Sequence, residues 1–309
     1  MLQYFSVVGG AVTACDTRQS GGWTCAVNPD PTEIAALIEE YGLESDFVYA
    51  ALDEEESSRI ENEDGNVLMM IDTPVVERKE DGSMSYSTVP LGIIIVPDQV
   101  ITVSLRSNLI MEEFAQGMVK NTQTNLKTQF VLRIMLRVAG RYLQFLKQID
   151  KISGGIEKKL RHSLKNKELI QMLELRKSLV YFSTSLKGNL VTLEKLTRGR
   201  YVKLYEEDQD LLDDVRIEVR QALEMSETYL DILSGTMDAF DSLISNNLNV
   251  VMKVLAAITI VFSVPNVIAG IYGMNVPGLP MAEYWWFPVA LSGVIMLLVY
   301  LILRKRDML

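Results

Sequence analysis

Residues 254–272 read VLAAITIVFSVPNVIAGIY and residues 285–303 read WWFPVALSGVIMLLVYLIL, two uncharged stretches of 19 residues separated by residues 273–284. A helix of about 20 apolar residues crosses a hydrocarbon core of about 30 Å, so the pair reads as an αα-hairpin through a bilayer and not as two buried helices of a soluble core. Basic residues orient it. Lys253 opens the first stretch and Arg304-Lys305-Arg306 close the second, whereas the loop 273–284 contains no Lys or Arg. Cytoplasmic loops carry the basic excess, so both termini are expected in the cytoplasm, with Tyr284, Trp285 and Trp286 as an outer interfacial belt. Met1 to Ala14 has no basic n-region, and Gln3, Ser6 and Gly9-Gly10 interrupt its apolar residues, so it does not read as a secretory signal.

Upstream of the hairpin, apolar residues recur every three or four positions from about Glu206 (Leu212, Val215, Val219, Leu223, Leu230, Leu233, Met237, Phe240, Ile244), and no proline occurs before Pro265. Such a sustained period is that of a long packed helix. Continued to Tyr272 it spans roughly 65 residues, about 100 Å at 1.5 Å per residue, a stalk (206–272) whose membrane part is about 252–272. Within that part Asn249, Met252, Ala256, Thr259, Ser263, Asn266, Gly270 and Gly273 follow one another at steps of 3 or 4. An asparagine in mid-span is costly against lipid, so this polar and small stripe should face protein or water. It reads either as a packing face between helices or as the lining of an aqueous path. Two helices cannot enclose a pore, so the second reading requires several copies about an axis.

The first 115 residues read differently. Tyr4–Val8, Trp23–Val27, Val67–Ile71, Tyr86–Val96 and Val100–Leu105 are short β-branched or apolar runs bounded by turn residues, the pattern of strands. Asp30-Pro31-Thr32-Glu33 opens a helix with a capping residue, proline in the first turn and an acid near the positive end of the dipole. A second helix is expected over Ser45–Ala51. From about Met111 the strand signals stop, and residues 116–205 read as helical, with one helix through Val131–Ile149, a break or flexible point at Gly154-Gly155, another helix over Lys167–Leu196 and a turn at Arg198-Gly199-Arg200. The expected fold is therefore an α+β domain (1–115), a helical region (116–205), a long-helix stalk (206–272), a loop (273–284), a second span (285–303) and a basic tail (304–309).

Charge and chemistry narrow the function. The net charge is −10, and residues 1–117 hold 21 Asp+Glu against 5 Lys+Arg. An acidic domain of this kind argues against nucleic acid, whose phosphates require clustered cations. Cys15 and Cys25 lack the spacing of a zinc site or a disulfide framework and read as inert thiols of a reducing compartment. With His162 as its single histidine, the chain cannot assemble a Ser/His/Asp or Cys/His arrangement around it. It contains no GxxxxGK[ST] phosphate loop, so no organic cofactor is expected and no enzyme reading holds.

The segment 249–275, NVVMKVLAAITIVFSVPNVIAGIYGMN, resembles the pore helix and loop of the CorA family of magnesium transporters. The family hallmark Tyr-Gly-Met-Asn stands here as Tyr272, Gly273, Met274 and Asn275 at the end of the first of two C-terminal spans. The resemblance implies a funnel-shaped homopentamer in a prokaryotic plasma (inner) membrane, with the lipid bilayer and its own copies as partners. It implies a passive, membrane-potential-driven Mg2+ channel, Mg2+ being both the transported ion and an intracellular gating ion. It places Gly273, Met274 and Asn275 in a selectivity loop, and Asn249, Met252, Leu255, Ala256, Thr259, Ser263, Asn266 and Gly270 along the pore. Asp214, beside Asp213, falls where the family can carry an acid of its ion-sensing sites. Asp53, Glu54, Glu55 and Glu56 are further carboxylates that a regulatory cation could bridge, and they read equally as solvated surface. Ser263-Val264-Pro265-Asn266 departs from the Met-Pro-Leu-Thr order of well-known members, and a zinc-transporting branch carries Ile where Met274 stands. The alternatives are transport of Zn2+, Co2+ or Ni2+ and, in a different class, a membrane-anchored coiled-coil sensor or adaptor.

Overall fold

A computed structural model describes residues 1–8, 11–79, 82–163, 166–198, 201–275, 278–281 and 283–306. The side chain of His162, Gly199-Arg200 of the expected turn, Gly9-Gly10, Val276, Pro277 and Ala282 of the loop, and the last three residues of the tail lie outside the described residues. Two compact units divide the chain, Met1–Gly235 and Thr236–Leu309.

The first unit is built on a seven-stranded sheet among the described residues. Its strands are β1 (Leu2–Val8), β2 (Ala11–Cys15), β3 (Trp23–Val27), β4 (Arg59–Glu63), β5 (Asn66–Arg78), β6 (Met84–Ile95) and β7 (Val100–Ser104), in the order β2-β1-β3-β7-β6-β5-β4. Only β3 and β7 pair in parallel. All five expected strands are present. The two that were not expected, β2 and β4, form the edges of the sheet, where one neighbour and a wet face leave AVTAC and RIENE without an apolar run. Val67–Ile71 is continuously buried because helices cover both faces of the sheet, which is why it reads as an unbroken apolar stretch and not as an alternation.

One face carries α1 (Pro31–Tyr41) and α2 (Ser45–Ala50), whose Ile34, Leu37, Phe47 and Val48 share a core with Leu68, Met70, Ile94, Ile101 and Val103. The start of α1 is a capping box. Asp30 Oδ1 accepts from the amides of Thr32 (2.8 Å) and Glu33 (2.9 Å), and Glu33 Oε2 accepts from the amide of Asp30 (3.0 Å) and the N-terminal amine (2.7 Å). Gly92 of β6 lets α2 settle this closely: a Cβ there would stand 2.5 Å from Ala51 Cβ.

After the short α3 (Leu109–Ala115), α4 (Lys127–His162) and α5 (Asn166–Thr197) cover the other face. Aromatic contacts run through that layer, from Phe5 on Trp23 to Trp23 on Phe130 and Phe130 on Phe114, and from Tyr86 to Phe145 and Phe182. The expected break at Gly154-Gly155 is absent, and α4 runs through both glycines. Their intrinsic cost in a helix is about 1 kcal/mol each, and the burial of Ile149, Ile156 and Leu160 on either side offsets it.

A 3-10 turn over Glu206–Asp208 leads into α6 (Gln209–Tyr272), one helix of 64 residues. Leu212, Val215, Val219, Ala222 and Ser226 are buried against the rest of the first unit, and Ser226 Oγ donates to Leu179 O of α5 at 3.2 Å. The second unit holds the C-terminal part of α6, the loop and α7 (Trp286–Lys305).

Candidate functional site

The most apolar windows of α6 and α7 have mean hydropathies of 2.2 and 2.3, yet only 11% and 6% of those windows is buried. A core helix of a soluble protein with such a composition would be buried, so the exposed apolar surface is that of membrane-spanning helices. Pro265 lies inside α6 and removes the amide that would bond the Val261 carbonyl, but the helix continues to Tyr272.

Exposure separates the faces of α6. Ala257 and Ile268 are buried, and Val261, Val264, Pro265 and Tyr272 are partly buried. Tyr272 packs its ring on Phe287 of α7, centroids 6.2 Å apart, and donates from Oη to Pro280 O at 3.1 Å. Asn249, Met252, Leu255, Ala256, Thr259, Ser263, Asn266 and Gly270 are all exposed, Met252 at 70% and Leu255 at 63%. At about 100° per residue these eight lie within about 60° of one direction, and the covered set centres roughly half a turn away. The polar stripe thus lies on the side of α6 away from the covered residues, and the apolar residues flanking it, Phe262 and Val267 among them, are exposed as well.

Two hydroxyls on the stripe are turned back on the helix. Thr259 Oγ1 donates to Leu255 O and Ser263 Oγ to Ile260 O, both at 2.8 Å. This satisfies each hydroxyl hydrogen within the chain and leaves oxygen lone pairs as the outward-facing chemistry. At the end of α6, Gly273 donates its amide to Ala269 O at 2.8 Å, and a Cβ on it would meet that oxygen at 3.1 Å. Gly273, Met274 and Asn275 are exposed, and among the described residues nothing hydrogen-bonds the Asn275 carboxamide.

The acids proposed as ion sensors lie in the first unit. Glu54 pairs with Arg106, Glu56 with Arg59, and Asp213 with Arg216 at 2.7 Å. Asp53 Oδ1 accepts from the Glu55 amide at 3.0 Å. Asp53, Glu55 and Asp214 are exposed. Among the described residues of one chain, no three carboxylate, thiol or imidazole groups converge as a metal site. Cys15 and Cys25 are free thiols. Burial pushes the Cys25 thiol up to about 11, against a hydrogen bond with Thr102, so it is protonated and unreactive at neutral pH.

Comparison with known proteins gives the arrangement its context. The cobalt/magnesium transport protein CorA of Methanocaldococcus jannaschii is 29% identical over 295 residues, covering 92% of this chain and 90% of the relative. The protein of the same name from Thermotoga maritima is 30% identical over 168 residues, covering 53% of this chain and 48% of the relative. The complete structure of the Methanocaldococcus jannaschii CorA magnesium transporter superposes with a TM-score of 0.82 at 24% identity, covering 99% of this chain and 96% of that one. At that identity the likeness is one of fold: an α/β domain, a long helix and a C-terminal helix. A family model described as CorA-like Mg2+ transporter protein matches residues 19–305. With 19–305 matched and the fold shared from end to end, this chain belongs to the CorA-like Mg2+ transporter family.

Proposed function

We propose that five copies of this chain assemble about an axis with their first spans innermost, and that the path between them conducts Mg2+ into the cell down its electrochemical gradient. The observation that carries this reading is the placement of the polar stripe. Its eight residues lie on the face of α6 opposite the one covered within the chain, and because a mid-span asparagine such as Asn266 is costly against lipid, other copies or water are what this face is suited to meet. The exposed Gly273-Met274-Asn275 segment ends that helix.

The chemistry suits Mg2+ as cargo. Mg2+ dehydrates reluctantly and demands octahedral oxygen ligands, so a path that stripped its water would hold a high barrier. Five Asn275 carboxamides and Gly273 carbonyls would meet the ion's bound waters with neutral acceptors, attracting it without trapping it as a carboxylate ring would. The backward-turned Thr259 and Ser263 hydroxyls continue a line of acceptors inward. The membrane potential supplies the drive, about 4.6 kcal/mol per 100 mV for a divalent ion at 2.3 per charge. Both termini face the cytoplasm, as the basic residues flanking the spans imply, and the membrane is the plasma membrane of a prokaryote, a reading that the organisms of the relatives support.

Gating falls to the acids of the first unit. Intracellular Mg2+ bridging carboxylates of adjacent copies would hold a closed state by differential affinity. The ion pairs of Glu54, Glu56 and Asp213 within one chain leave Asp53, Glu55 and Asp214 as the carboxylates open to such bridging. Cobalt is a second cargo, since the relative from Methanocaldococcus jannaschii is named for cobalt as well as magnesium, and competition between the two ions in uptake ranks them. The primary test is Asn275→Ala in reconstituted vesicles. Mg2+ uptake should fall at least tenfold, and uptake equal to wild type would end the channel reading.

A further inference from the structure

Three arginines follow one another along α4 at single-turn spacing. Arg137 and Arg141 both pair with Glu113. Arg133 has no ion pair among the described residues, and its Nε is buried without a hydrogen-bond partner. A buried donor on a charged group left unpaired is costly, and native structures seldom keep one without a reason. The absence of a carboxylate here is notable in a chain of net charge −10.

Arg133 lines a cavity of about 650 Å³ in the first unit, between β1, the turn at residues 19–21, the 121–125 loop and α4. Apart from Val7 and Gly21, the other described residues that line it carry neutral hydrogen-bonding side chains, among them Gln19, Asn121, Gln123, Thr124 and Gln129; Arg133 is the only ionisable one among the described residues, and none of them is aromatic.

We infer that this cavity is a binding site for a small, strongly hydrated oxyanion, a phosphate or carboxylate group on a hydroxylated skeleton. Arg133 supplies the charge-assisted contact, and the amides and hydroxyls read the polar remainder. The volume lies within the range of small-molecule sites, and the lack of a stacking surface disfavours a nucleobase. The cavity belongs to the first unit and takes an anion, whereas the proposed path along the spans conducts a cation.

The test uses the full chain in detergent, in magnesium-free buffer at constant ionic strength, with inorganic phosphate and citrate as separate probes. Equilibrium dialysis and the thermal midpoint are both read. Saturable binding of one or both probes is expected in the wild type, with phosphate alone marking a simple anion site and citrate the stronger binder if the polar walls take part. Arg133→Gln should weaken binding about tenfold or more, and Gln123→Ala, at the cavity wall, by a smaller factor. Without anion, Arg133→Gln should melt no lower than wild type, because it removes a half-buried guanidinium whose Nε has no hydrogen-bond partner. Equal binding by wild type and Arg133→Gln would overturn the inference. So would the absence of saturable binding by either probe, or an Arg133→Gln midpoint well below wild type in anion-free buffer.

Discussion

At Gly273 the backbone leaves little room for a side chain. A methyl group would meet the Ala269 carbonyl at 3.1 Å, and that carbonyl already accepts the Gly273 amide. Gly273→Ala should displace the end of α6 and lower cation uptake severalfold with little change in the melting of the first unit, a split that paired transport and calorimetry measurements resolve. A second residue-scale effect belongs to Asp30 and Glu33. The hydrogen bond from the N-terminal amine, with backbone amides, holds Glu33 below its usual range, and the Thr32 hydroxyl and the Glu33 amide do the same for Asp30. A carboxyl depressed in the folded state stabilises it above the unfolded pKa, and that contribution is lost as pH falls through the folded value. The first unit should therefore lose stability below about pH 4.5, the upper end of the ordinary carboxylate range, and Glu33→Gln should flatten that acid limb in pH-dependent melting curves.

Among the elements, α4 shows where local reading and packing part. Two adjacent glycines imply a break by propensity, yet the helix passes through them to His162, and a Cβ at either position would meet nothing within 4 Å. Gly154→Ala and Gly155→Ala should each raise stability by roughly 0.5–1 kcal/mol, measured as a shift of the denaturation midpoint; a loss of stability would show that the glycines serve a bend that α4 requires. The period of α6 is the opposite case. Its 3-4 spacing, its length and its end at Tyr272 were all readable, because a helix with an apolar stripe and no early proline has one way to bury that stripe. The edge strands β2 and β4 were not readable, since pairing on one side selects little in the side chains.

On the scale of the whole molecule, the proposed assembly makes the two faces of α6 experimentally distinct. In a Cys15→Ser background, Ala256→Cys on the free face should oxidise to disulfide-linked dimers, whereas Ile268→Cys on the covered face should not, and lysine cross-linking of the wild type should give a ladder up to a pentamer; a lysine ladder ending at two would defeat the fivefold arrangement. The sequence alone determined the hairpin, its flanking charge and the polar stripe, because membrane solvation imposes length and composition on a span regardless of its neighbours. It also determined the loop triad Gly273-Met274-Asn275, whose meaning came from its position at the end of a span. What tertiary structure alone decided was which side of α6 its own chain covers, how Arg106, Arg59 and Arg216 divide the acids into paired and open ones, and that Arg133 lines a cavity without a partner. The pairing of Glu54 with Arg106 joins residues far apart in the chain, about which helical or strand periodicity carries no information, whereas Glu56 with Arg59 and Asp213 with Arg216 are local pairs three residues apart.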